Sequence, residues 1–174
     1  GCSVSSPAFL ATALADSAGA ALSDHMKRWR NMAVFYVMVR SEGVGSVIAL
    51  PCGLDPIVTF GAPEDDFRDL ALGMRRLGQL LLAAGAVRLF PSIKGYPVIE
   101  TEGQLDFFLK PIPRSLARPM TIHLAGTCPM GEAPHGGATD SFGRLHGFDN
   151  VWINDASLLP EAPGVNPMGT VVAF

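Results

Sequence analysis

Pro63-Glu64-Asp65-Asp66-Phe67-Arg68-Asp69-Leu70-Ala71-Leu72-Gly73-Met74-Arg75-Arg76-Leu77-Gly78-Gln79-Leu80-Leu81-Leu82-Ala83-Ala84-Gly85 is the stretch whose reading decides the fold class. Phe67, Leu70, Ala71, Met74, Leu77, Leu80, Leu81 and Ala84 recur three or four residues apart, so a helix gathers them into one apolar stripe. Pro63 suits a first helical position, Glu64, Asp65 and Asp66 complement the positive end of the macrodipole, and Gly85 can stop the helix in a left-handed conformation. The spacing predicts an amphipathic helix packed as a lid on one face of a sheet. Upstream, Met32-Ala33-Val34-Phe35-Tyr36-Val37-Met38-Val39 is rich in β-branched and aromatic residues and reads as a strand covered on both faces. Val47-Ile48-Ala49-Leu50 and Ile57-Val58-Thr59-Phe60 follow after turns containing Gly and Pro, and three strands so close in sequence predict an antiparallel meander. Residues 7–22, small and apolar, read as a short helix. Val87-Arg88-Leu89-Phe90 reads as a further strand, and Pro97, Pro111, Pro113 and Pro119 break the chain beyond it into short pieces. The expected class is α+β.

The chain has 174 residues, 48% apolar and 17% charged, against about 25% charged in an average protein, which favours a packed core. With 13 Lys and Arg against 16 Asp and Glu, the net charge is −3, and no basic excess is present to neutralise a nucleic-acid backbone. The 19 glycines and 14 prolines exceed the usual background of about 12%, while the hydrophobicity argues against disorder, so they belong to shaped loops. Cys2, Cys52 and Cys128 have no paired spacing and indicate neither a zinc site nor a disulfide scaffold. No run approaches the ~20 apolar residues of a membrane span, and the N-terminus lacks the basic region of a signal peptide. The start at Gly1 and the apolar stop at Val171-Val172-Ala173-Phe174 read as a piece of something longer.

From Met120 onward the texture changes, with many glycines and three of the four histidines. In Thr121-Ile122-His123-Leu124-Ala125-Gly126-Thr127-Cys128-Pro129-Met130-Gly131, an imidazole lies three residues from a glycine where backbone can approach a ligand; alone, such a histidine is more often a hydrogen-bonded core residue. Asn150-Val151-Trp152-Ile153-Asn154-Asp155-Ala156-Ser157 is an apolar strand ending in an acid, which either reaches sugar hydroxyls or caps the next turn. In Pro163-Gly164-Val165-Asn166-Pro167-Met168-Gly169-Thr170, Pro167 opens a helix with Asn166 near its N-cap. The free N–H groups there suit an electron-rich ligand oxygen, although any ordinary helix start has them.

The three motifs in this order, with Gly136-Gly137-Ala138-Thr139-Asp140-Ser141-Phe142-Gly143-Arg144-Leu145-His146-Gly147 between the first two, resemble the C-terminal signature of the glucose–methanol–choline (GMC) oxidoreductases. The run 137–170 is similar to the cholesterol oxidase branch. Ser3-Val4-Ser5-Ser6-Pro7-Ala8-Phe9-Leu10 resembles the family's second signature, with Ala13-Leu14 in place of a Ser-Gly pair, and Ser23-Asp24-His25 resembles the Asp-His before its substrate domain. The resemblance implies an FAD-dependent oxidation of the CH–OH group of a small-molecule alcohol, and an antiparallel sheet backed by helices flanked by segments of an α/β FAD-binding lobe. It divides the chain into a segment of the FAD-binding lobe (1–29), a substrate-binding lobe (30–119) and a return to the FAD-binding lobe (120–174). It implies that His123 is the acid/base residue and Asn166 its partner, that Asp155 and Ala156 lie along the ribityl and pyrophosphate region, and that Asn166, Pro167 and Met168 lie against the flavin ring.

His135 and His146 match no catalytic position, and Cys128 reads as a thiol packed near the cofactor. The G-x-G-x-x-G fingerprint of a dinucleotide fold does not occur; Gly43-Val44-Gly45 is a partial match that opens no helix. The chain thus resembles roughly the last third of such an enzyme, without the N-terminal FAD-binding region. A flavin-scaffold isomerase or lyase, and a noncatalytic binding remnant, are the competing readings.

Overall fold

A computed structural model describes the chain except for residues 1, 4, 5, 15, 16, 18, 122, 133–135 and 174. His135, and Val4 and Ser5 of the N-terminal signature, therefore lie outside the described residues. The chain divides into two compact units, one formed by Gly1–Val39 with Pro63–Pro119 and the other by Arg40–Ala62 with Met120–Phe174.

In the first unit, the small apolar N-terminal run forms two helices, α1 (Pro7–Ala13) and α2 (Gly19–Met26), in place of one across residues 7–22. Ser6 caps α1, its hydroxyl accepting the Phe9 N–H at 3.2 Å. The predicted lid is α3 (Glu64–Ala83). Pro63 is its N-cap and Gly85, at φ +94°, follows its end in the left-handed region, so both boundary signals operate within a residue. The surface that α3 covers differs from the prediction. Instead of a sheet, it packs on a 3₁₀ segment, Glu102–Leu109, placed in the proline-free interval between Pro97 and Pro111. Residues three apart eclipse in a 3₁₀ helix, so Leu105 and Phe108 share a face. They meet Ala71, Ile99 and Ile112 in the core, with Leu70 and Met74 at its margin. Thr101 and Gln104 close the start of the segment as a reciprocal capping box.

Among the described residues no broad sheet exists for α3 to cover, because the apolar run 32–39 pairs over only two residues. β1 (Cys2–Ser3) and β2 (Val34–Phe35) are antiparallel, and Phe35, Tyr36 and Met38 are exposed rather than covered on both faces. β-branched and aromatic residues fit a pleated surface only where a neighbouring strand supplies one. The predicted strand at 87–90 is likewise reduced to a single bridge, Leu89 opposite Ile99, with backbone hydrogen bonds of 2.8 and 2.9 Å.

In the second unit, β3 (Gly45–Ile48) pairs antiparallel with β4 (Ile57–Phe60), Val47 opposite Val58. The predicted meander is therefore a two-stranded hairpin. All eight of its strand residues are exposed. Residues 120–173 contain isolated bridges (Met130 with Thr139, Thr139 with Leu145, Arg144 with Trp152), a 3₁₀ turn at Ala156–Leu158, and the short helix α4 (Met168–Val172). Helices with small antiparallel pairs keep the molecule in the α+β class. Among the described residues no helix is long and apolar enough to cross a membrane.

Candidate functional site

Two backbone hydrogen bonds lay the first C-terminal motif on the second: the Cys128 N–H donates to the Ser157 carbonyl at 3.1 Å and the Met130 N–H to the Leu158 carbonyl at 3.0 Å. The connecting loop folds back by similar means. The Gly131 N–H donates to Thr139, the Asp140 N–H to Arg144 and the Ile153 N–H to Gly143, at 2.8, 3.0 and 2.9 Å. Gly143 is required at this turn. Its φ is +76°, and a Cβ there would stand 2.6 Å from the Ile153 carbonyl oxygen. His146 Nε2 lies 2.9 Å from the Gly131 carbonyl, and since a carbonyl only accepts, the ring donates. This histidine is engaged in holding its loop. Cys128 is half-buried with a free thiol.

The third motif meets the first at a cavity of about 360 Å³ lined by His123, Asn166, Pro167, Met168, Val171 and Val172, within the roughly 300–1,000 Å³ typical of small-molecule sites. Its polar equipment is one imidazole and one carboxamide. An imidazole takes up or releases a proton near neutrality; a carboxamide both donates and accepts hydrogen bonds without exchanging a proton there. Pro167 and the three α4 residues form an apolar wall beside them. Pro167 is the N-cap of α4 and is buried, one position before the first helical residue that it was expected to be.

Four predicted site residues, His123, Asn166, Pro167 and Met168, thus line one cavity. Asp155 and Ala156 are not in its lining. They begin the 3₁₀ turn, where the Asp155 carboxylate accepts the Ser157 N–H at 2.8 Å, the capping arrangement that the sequence left open. Val171 and Val172 join the lining without having been predicted. Their signal was legible, since residues three and four beyond Met168 share its helical face.

The Ser157 side chain, and then its backbone N–H, hold the Asp155 carboxyl below the usual carboxylate range, against a smaller opposing effect of desolvation. A depressed folded pKa contributes stability above the unfolded value of about 3.9, and that contribution is lost as pH falls through the folded value. The turn is therefore intact at neutral pH and loosens only in acid. A carboxyl-carbon NMR titration should place the Asp155 midpoint below that of an unstructured Asp peptide; a midpoint at or above the peptide value contradicts the cap. Among the described residues no cluster of His, Cys, Asp and Glu assembles to hold a metal ion.

Residues 54–174 match the family model described as GMC oxidoreductase. An uncharacterised GMC-type oxidoreductase of Sinorhizobium fredii is 41% identical over 175 residues, covering 100% of this chain and 34% of that protein. One from Mycobacterium tuberculosis is 33% identical over 161 residues, covering 90% of this chain and 24% of its own length. A long-chain-alcohol oxidase of Arabidopsis thaliana is 29% identical over 166 residues, covering 88% of this chain and 21% of its own length. The chain spans about a third or less of these curated relatives. No solved structure matches. The family model covers most of the chain, the Sinorhizobium match covers all of it, and the cavity joins two of the motifs that carried the resemblance: the chain belongs to the GMC oxidoreductase family.

Proposed function

We propose that this chain is the catalytic C-terminal part of an FAD-dependent oxidoreductase that acts on the CH–OH group of an alcohol. The observation that carries the proposal is the meeting of His123 and Asn166, far apart in the sequence, in one cavity with an apolar wall. That donor set fits a flavin ring: an apolar platform at Pro167 and Met168 for its face, beside groups able to hydrogen-bond at its edge. Asp155 and Ala156, on the adjoining turn, would run along the ribityl and pyrophosphate portion. When bound, FAD supplies the acceptor for the hydride that leaves the carbinol carbon.

The chain's own residues handle the proton. Asn166 donates to the substrate oxygen and orients it, and the His123 imidazole takes the hydroxyl proton as the C–O bond becomes a carbonyl. In the complete protein, residues 1–29 and 120–174 would belong to the FAD-binding lobe and 30–119 to the substrate-binding lobe. The G-x-G-x-x-G region that this chain does not contain would complete the pyrophosphate site.

A lipophilic alcohol is the best-supported substrate class. With Pro167 and Met168 given to the flavin face, Val171 and Val172 are the lining residues left to the substrate, and a polyol would leave hydroxyls unpaired against them. The Arabidopsis relative is named for long-chain alcohols. Mixed without oxygen with the full-length flavin-loaded protein, a long-chain primary alcohol should bleach the flavin absorbance and a hexose should not. Preferential bleaching by the hexose overturns the substrate class. No bleaching by any alcohol, with flavin bound, overturns the oxidation itself in favour of proton chemistry without net redox, and failure to take up flavin indicates a noncatalytic binding protein.

A further inference from the structure

Asn166 reaches the cavity at the end of a loop that has little to hold it. Between Leu159 and α4 the chain runs Pro160-Glu161-Ala162-Pro163-Gly164-Val165-Asn166, and among the described residues no backbone N–H of this stretch is hydrogen-bonded. Two prolines stiffen it, and the left-handed turn at Gly164, φ +73°, redirects it towards Asn166. The buried residues Leu158, Leu159 and Pro167 anchor its ends. In the interval, a side chain distant in the sequence ties it down. The Arg40 guanidinium pairs with the Glu161 carboxylate, and the Arg40 stem lies along the turn, so that a Cβ on Gly164 would be 3.7 Å from Arg40 Cδ.

The pair is half to mostly exposed, at 51% and 70%, and an exposed pair contributes little to global stability. Its consequence is local geometry. We propose that Arg40 is a positioning residue: by gripping Glu161 and backing Gly164 it keeps the 160–166 loop in the one conformation that brings Asn166 to the cavity with His123. This rests on the reading of Asn166 as the orienting group for the substrate hydroxyl. Fixed placement matters for such a group, because a misplacement of about 1 Å can cost about 100-fold in rate.

The first measurement is independent of flavin and turnover. In ¹⁵N relaxation spectra of this chain, Arg40→Met should lower the heteronuclear NOE at the Gly164, Val165 and Asn166 amides while leaving α3 unchanged. Arg40→Lys, which keeps the charge but not the planar fork, should loosen them less. Unchanged amides in Arg40→Met overturn the proposal.

The second measurement uses the full-length flavin-loaded enzyme. Arg40→Met should lower kcat about tenfold in the wild-type background and have no further effect in Asn166→Ala, because the loop then has nothing to position. Arg40→Glu with Glu161→Arg should recover part of the loss. An equal loss from Arg40→Met with and without Asn166 indicates general structural damage and overturns positioning. Should Asn166→Ala itself leave kcat unchanged, the reading of the site fails, and the NMR result alone decides whether Arg40 holds the loop.

Discussion

Replacement of His123 by alanine in the full-length enzyme is expected to lower the rate of anaerobic flavin reduction by the alcohol about 10²–10⁴-fold while flavin content stays as in wild type. That range is what positioned general-base catalysis typically supplies. Two observations place the effect at this residue. Among the cavity's lining groups His123 is the only one with an ionisable side chain, Asn166 being a carboxamide and the other four apolar. Of the other described histidines, His146 is committed to the Gly131 carbonyl, and His25 packs edge-on against Phe90 at 4.8 Å between centroids. Neither lines the cavity, so among the described residues no second imidazole is available to take over. Retention of flavin follows from its proposed supports, which include the apolar face at Pro167 and Met168. Stopped-flow absorbance at the flavin band gives the rate, and flavin released on denaturation gives the content. Flavin reduction at the wild-type rate in the alanine variant would remove His123 from the proton step.

The second large effect is expected in the first unit. Leu105→Ala should destabilise it by about 2–5 kcal/mol, the usual cost of truncating a buried leucine. Leu105 has no exposed surface, and it sits between Ala71, Ile99, Phe108 and Ile112. Gly78 of α3 faces it so closely that a Cβ there would collide with the Leu105 methyls. The side chain therefore fills a notch in the helix, and truncating it empties that notch. Against the 5–15 kcal/mol that holds a typical domain, this is a large fraction, and it should appear as a fall in Tm on the order of 10–20 °C. Leu80, on the same helix but 65% exposed, provides the contrast: Leu80→Ala should change stability by no more than about 0.5 kcal/mol. Circular-dichroism melts of the two variants check the prediction. Equal melts would place the core elsewhere.

The same leucines show how much of the fold could be read in advance. The period of 64–83, its acidic first turn and the glycine beyond its end are local properties of a helix, so they announced α3 nearly to the residue. Which element α3 covers is not local. The run 32–39 has the composition of a buried strand, yet pairs over two residues, and the helix meets the 3₁₀ segment of Glu102–Leu109 instead. Apolar character records that a side chain gains by leaving water, without recording against what.

At the site the division falls in the same place. His123, Asn166, Pro167 and Met168 were singled out through the resemblance of their ordered motifs to the family's C-terminal signature, since each motif alone reads as an ordinary core histidine or helix start. Val171 and Val172 were within reach through helical spacing from Met168. Asp155 had two local readings, and only the hydrogen bond from the Ser157 N–H showed it capping its turn.

Motifs and helical periods span a few turns of chain and are written in consecutive residues, so the sequence by itself determined α3 and the strand at 57–60, while it named His123 and Asn166 through the resemblance of its ordered motifs to a family signature. The tertiary structure decided the cover of α3, the notch of Gly78 around Leu105, and the grip of Arg40 on Glu161 across 121 residues. Such contacts depend on where distant backbones come to rest, which is set by the summed packing of the fold and not by the preference of any one segment.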